Sequence, residues 1–204
     1  YGPSQPTMLG ITDKPYSVDG KTLEPMVAHG LQVASVGVLI DPDQPMIWRG
    51  PLAVSALQQL LKQTNWKDLD YLIVDMPPGT GDIQLSLSQE VPLTGAVVVT
   101  TPQDIALMDA RRGLVMFEKV NVPILGIIEN MSYIKCPDCG KKIYLFGEGK
   151  SEEAAKRHNL PLLAQMPIDP KLAALVDAGK IEEFEGTWLN AAADALEKTR
   201  KRAE

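Results

Sequence analysis

The chain has 204 residues, a net charge of −6, 45% hydrophobic and 23% charged residues, the composition of a globular protein with one substantial core. No apolar run reaches the roughly 18–20 residues that span a bilayer, and Tyr1-Gly2-Pro3-Ser4 has neither the basic nor the apolar region of a signal peptide. An acidic chain lacks the field that collects phosphates, which argues against a non-specific nucleic-acid binder; two cysteines exclude a disulfide framework and favour a reducing, cytoplasmic setting.

Short β-rich apolar runs alternate with helical patterns. Strands are expected over 31–40, 71–75, 95–100, 124–130 and, more weakly, 162–168. Tyr71-Leu72-Ile73-Val74 and Ala96-Val97-Val98-Val99 are continuous rather than alternating, as in parallel strands buried on both faces. Helices are expected over 51–64, over 103–120 with Ile105, Met108, Leu114 and Phe117 inward, and from Ser151, where acids fill the first turn. A short helix over 172–178 would end at Gly179. A last helix over 188–200 would turn Trp188, Ala192, Ala195 and Leu196 inward, with Lys198, Arg200, Lys201 and Arg202 as its solvated end. This order predicts βαβ units and an α/β domain, whose ligands bind beyond the carboxyl ends of the strands.

The run 71–74 ends in Asp75, the Walker B pattern, in which a strand-tip carboxylate can hold Mg²⁺ against nucleotide phosphates. Met76-Pro77-Pro78-Gly79-Thr80-Gly81-Asp82 follows, a segment whose backbone can approach a ligand and which adds a second carboxylate. Thr101 and Pro102 would cap the helix after the third run. Asn130, at the tip of the fourth, offers a donor and an acceptor to a base edge.

Cys136-Pro137-Asp138-Cys139-Gly140 is the strongest local signal. The spacing makes a knuckle whose two sulfurs face one way, suited to zinc or iron. Two thiolates fill half of a closed site, so two copies related by a two-fold axis would complete it. A thioredoxin-like redox role is less favoured, because Lys141-Lys142-Ile143-Tyr144 does not open a helix. His29 and His158 stand on unpromising segments. Gly149-Lys150-Ser151 imitates the end of a phosphate loop, but the required glycine is Tyr144, so no Walker A is accepted.

Tyr1 to Leu9, Trp48-Arg49-Gly50-Pro51, the segment Asp70 to Asp82, Thr100 to Ala106, Glu129-Asn130-Met131-Ser132 and Cys136-x-x-Cys139 together resemble the Mrp/ApbC family. These are iron–sulfur cluster carrier P-loop ATPases of the MinD/ParA-like class. The resemblance implies a three-layer α/β fold, a mostly parallel sheet flanked by helices, as one P-loop NTPase-like domain over 1–204 that lacks its N-terminal strands. The family's Walker A segment would lie upstream of Tyr1, in a longer polypeptide with about 100 further residues on the scale of α/β units; without it, this chain alone would not hydrolyse ATP. By resemblance, Asp75 is the Walker B carboxylate near Mg²⁺, and Gly79 and Asp82 belong to a switch segment sensing the γ-phosphate. Asn130, Pro167 and Asp169 surround the adenine, and Cys136 and Cys139 bridge a [4Fe–4S] cluster between two protomers. The implied function is ATP-regulated transfer of that cluster to apo-proteins by a cytoplasmic homodimer, with zinc as a possible substitute and no nucleic-acid or membrane partner. The alternatives are a ParA/MinD-like positioning ATPase and a structural zinc knuckle on a nucleotide-binding fold.

Overall fold

A computed structural model describes residues 4–38, 50–76 and 82–203, with the backbone alone at 38, 50–53, 82–83, 90 and 201–203. In chain order it contains α1 (Gln5–Met8), β1 (Met26–Ala28), β2 (Leu31–Val33), α2 (Gly50–Lys62), α3 (Asp82–Glu90), β3 (Ala96–Thr100) and α4 (Asp104–Lys119). These are followed by β4 (Ile124–Lys135), β5 (Lys142–Ile143), α5 (Ser151–Arg157), β6 (Leu162–Pro167), α6 (Pro170–Asp177) and α7 (Asn190–Ala203). The chain separates into two compact units, Tyr1–Ser86 with Pro170–Glu185, and Leu87–Asp169 with Gly186–Glu204.

The second unit holds the parallel sheet. β4 lies between β3 and β6 and runs parallel to both. Consecutive residues of a strand point to opposite faces, and here both faces are covered. Ile127 packs with Val98, Leu114 of α4 and Ala155 of α5; Ile128 packs with Leu163, Ala164 and Ala192 of α7. Helices on both sides of a parallel sheet give the expected three layers.

Backbones meet closely at Gly126 on β4. A Cβ there would stand 2.7 Å from the Pro161 carbonyl oxygen and 2.6 Å from Leu163 Cγ, so β6 seats against β4 only where no side chain intervenes.

The first unit is built differently. β1 and β2 form an antiparallel hairpin, and Val36, in a short 3₁₀ turn at Val36–Val38, packs with Ala56 and Leu60 of α2. The run 31–40 is therefore a three-residue strand and a turn as far as residue 38. The expected strand at 71–75 is also absent. Residues 71–76 have no regular structure and Ile73 is 77% exposed, because no strand among the described residues pairs with it and a lone strand leaves its ladder groups unmatched.

In α4 the expected cap fails, and the expected stripe holds at Leu114 and Phe117 only. The helix begins at Asp104, and Gln103 precedes it without a side-chain cap, so Thr101 and Pro102 stand outside the helix. Its inward stripe is Leu107, Ala110, Leu114 and Phe117, while Ile105 is 74% exposed and Met108 also faces out. The 3.6-residue period admits neighbouring stripes, and packing against β3 and β4 selects one. α6 and Gly179 behave as expected: Gly179 takes φ +68° just past the helix, the left-handed C-terminal position. Ala192 of α7 is buried, but Trp188 lies in a 3₁₀ turn ahead of that helix. No helix among the described residues is long and apolar enough to cross a membrane.

Gly126→Ala is expected to destabilise the protein by about 1–3 kcal/mol, the cost of overpacking, read as a lower denaturant midpoint with an unchanged slope. An unchanged midpoint would show that β6 does not depend on this contact.

Candidate functional site

β4 extends past the carboxyl edge of the sheet. Thr100, the last residue of β3, pairs with Glu129, and the final residue of β6, Pro167, pairs with Tyr133. Between these points β4 bulges: Glu129 and Tyr133 are four positions apart, but their partners Gln165 and Pro167 are two apart. Met131 absorbs the excess with φ +55°, and Asn130 Oδ1 accepts the Met131 N–H at 2.9 Å, an Asx-type local bond that suits such a bend.

Glu129 pins the bulge. Its carboxylate is 0% exposed; Oε1 accepts the Ser132 hydroxyl at 2.6 Å and the Gln165 amide at 3.1 Å. Gly149 lies so close that a Cβ on it would fall 2.0 Å from Oε2. The sequence held one signal for this, an acid directly after the apolar run Ile124–Ile128, and its structural role was not anticipated.

The bulge places Asn130 beside the end of β6. Pro167 is buried and Asp169 half-buried, and the Ile168 N–H donates to the Tyr133 carbonyl at 2.7 Å. Asn130, Pro167 and Asp169 therefore share one sheet edge. Asn130 keeps its amide Nδ2 without a partner among the described residues, and so retains a donor for a ligand.

Beyond the bulge, Tyr133 to Lys135 continue as the first arm of a hairpin whose second arm is β5. Its turn is the cysteine knuckle. The Cys136 N–H donates to the Lys141 carbonyl and the Gly140 N–H to the Cys136 carbonyl, each at 2.9 Å; Gly140 takes φ +70°, which favours glycine. Both cysteines are free thiols, Cys136 half-buried and Cys139 exposed. The Cys139 backbone N–H, then that of Asp138, then the Cys139 side chain hydrogen-bond to Cys136 sulfur and hold its pKa below the usual thiol range. Donors aimed at sulfur favour the thiolate, the form that binds metal.

Asp75 and Asp82 belong to the first unit. Asp75 is exposed and accepts the Gln5 side-chain amide at 2.7 Å. Asp82 opens α3, with its backbone alone described. Gly79 lies outside the described residues, as do Trp48 and Arg49. His158 stands beside Glu118 at 3.4 Å. Among the described residues no three His, Cys, Asp or Glu side chains are grouped to hold a metal, and the two thiols of the knuckle stand as a pair.

The Cys136 thiolate should form below the ordinary thiol pKa. Iodoacetamide labelling of Cys136, followed by peptide mass against pH, is expected to show a midpoint below that of a free cysteine, moving up in Cys139→Ala. A free-cysteine midpoint would contradict the donor geometry. Glu129→Leu, which leaves Ser132 and Gln165 unpaired, is expected to cost about 1–3 kcal/mol, and Glu129→Gln less, in chemical denaturation.

A family model described as ParA, NUBPL iron-transfer P-loop NTPase, matches residues 1–201. The iron-sulfur cluster carrier protein of Escherichia coli K12 is 56% identical over 180 residues, 88% of this chain and 49% of the relative. The mouse iron-sulfur cluster transfer protein NUBPL is 44% identical over 88% of this chain and 56% of its own length. The chain thus spans about half the length of the curated relatives it matches. Among solved structures, the nucleotide-binding protein from Archaeoglobus fulgidus in complex with ADP, with cobalt found in it, superposes with a TM-score of 0.78. It is 36% identical, and the match covers 93% of this chain and 74% of that one. With the three-layer sheet and the thiol knuckle, these matches show that the chain belongs to the NUBPL iron-transfer P-loop NTPase family of the ParA class.

Proposed function

We propose that this chain is the cargo-bearing part of an iron–sulfur cluster carrier. Cys136 and Cys139 hold a [4Fe–4S] cluster together with the same pair from a second copy, and the cluster passes to apo-proteins. The observation that carries this reading is the knuckle itself: two free thiols on a hydrogen-bonded turn, one exposed, beyond the edge of the sheet. The donor set fits a shared centre. Two soft thiolates per chain make a four-thiolate site only when two chains meet, and the exposed Cys139 is reachable by a recipient. The carrier and transfer names of the relatives from Escherichia coli and mouse support the same cargo.

Nucleotide is the proposed regulator, within one NTPase-like domain over 1–204. Asn130, with its remaining amide donor, and Pro167 and Asp169 at the same edge are proposed to surround the adenine of ATP. The ADP bound to the Archaeoglobus fulgidus relative supports a nucleotide ligand. Asp75, an exposed carboxylate after the run 71–74, suits Mg²⁺, which takes oxygen ligands; Gly79 and Asp82 are proposed as the switch that follows it. The bound nucleotide would supply phosphate chemistry and the energy of hydrolysis. The chain's own part is structural: β4 carries Asn130 and ends at Lys135, directly before Cys136, so a shift of the strand tip at the proposed nucleotide edge is felt at the thiols. Two free thiols and the carrier role point to the cytoplasm.

Iron, acid-labile sulfide and zinc should be measured after reconstitution without oxygen. About four irons and four sulfides per pair of chains, with broad absorption near ~400 nm, are expected; Cys136→Ser and Cys139→Ser should each abolish them. Stoichiometric zinc without labile sulfide would replace the carrier reading with a structural knuckle.

A further inference from the structure

The hairpin carrying the thiols is an unfavourable piece of β-structure on its own. Its ladder has two residue pairs, Ile134↔Ile143 and Lys135↔Lys142. The second sets two ammonium side chains directly opposite each other, an arrangement that destabilises a strand pair. Lys141 adds a third, with its own carbonyl holding the Cys136 N–H. Asp138 is the sole acid between Lys135 and Lys142, so this stretch is cationic within a chain of net charge −6.

Lys67, Lys150, Lys156 and Lys180 each meet a carboxylate. Among the described residues Lys135, Lys141 and Lys142 have no ion pair. Lys142 is instead held over an aromatic ring, with Nζ 4.2 Å from the centroid of Tyr133, a residue only 5% exposed. A cation–π contact keeps the ammonium in the hairpin without cancelling its charge. An anion held at the two thiols would relieve the repulsion retained beside them.

A metal–thiolate centre would be such an anion. Four thiolates around a dipositive core, whether an oxidised [4Fe–4S] cluster or Zn²⁺, leave a net dianion. We infer that Lys135 and Lys142, with Lys141 on the same turn, form a cationic rim that retains the dianionic metal–thiolate centre at Cys136 and Cys139 and sets how fast it is released. This deepens the carrier reading, because release rate decides whether a recipient can take the cargo. It applies equally to zinc, so it can be tested apart from that reading.

The experiment compares wild type with Lys135→Gln/Lys142→Gln and with Lys135→Glu. It follows iron loss from the reconstituted protein to excess chelator, zinc affinity by competition, and thermal melting of the metal-free forms. The double variant should lose iron and bind zinc about fivefold less well, the scale of charge pairs near a wet surface, while its metal-free melting point stays level or rises. Lys135→Glu turns the like-charge pair into an ion pair. It should melt higher without metal and release metal faster still, opposite signs that a purely structural lysine does not produce. Added salt should speed release from wild type more than from the double variant. Equal release rates and equal zinc affinities across the three proteins overturn the rim. A wild type that takes zinc but no cluster overturns the carrier reading and leaves the rim supported or refuted by the zinc data; one that binds neither overturns both.

Discussion

The second unit depends on one strand being sealed on both faces. Ile127 and Ile128 are neighbours on β4, and each is buried in a different apolar cluster. Burying a side chain of this size removes apolar area worth about 1.5–3 kcal/mol, and here the gain comes on both sides of one backbone segment. β4 is thereby fixed against both helix layers, and a one-residue slip would exchange its two faces. Everything the strand carries at its far end inherits that rigidity.

What it carries is set by the bulge. Glu129 stands where the parallel ladder ends and ties Ser132, on its own strand, to Gln165 on β6. A buried carboxylate is costly unless hydrogen-bonded, so this one is best understood as the clamp of the bend rather than as a core residue. The bend places Met131 in a left-handed conformation, and the strand rejoins β6 at Tyr133. It leaves Asn130 on the edge where parallel sheets bind ligands and sends the next residues on into the hairpin. The edge that carries Asn130 and the thiol turn thus follow one another directly along the chain, which is the physical basis for the proposed coupling between them.

The turn is a polar device on an apolar frame. Tyr133 anchors it, with Tyr144 meeting it edge-on at 6.2 Å between centroids and Lys142 above the ring. The backbone closes on itself through Cys136, Gly140 and Lys141, so hydrogen bonds of the turn itself set how the thiols are presented. A pre-shaped site pays little ordering entropy when it is filled.

Some of this was legible in the residues. Periodicity and composition located β3, β4, β6, α2, α4, α5 and α6 within a few residues, because apolar spacing reports which faces are buried. The Cys-x-x-Cys spacing and its Gly140 identified the knuckle locally, since that turn is made by its own backbone. The segment 71–76 misled: its apolar run reads as a strand, but a strand exists only with a partner, and pairing is a property of the whole fold. The inward stripe of α4 held at Leu114 and Phe117 but not at Ile105 and Met108 for a related reason, as several stripes satisfy one helical period and the neighbouring sheet chooses among them. The bulge at Asn130, the clamp by Glu129 and the facing lysines of the hairpin join residues far apart in sequence or set by register. Local propensity carries no information about them, and only the tertiary structure decided them.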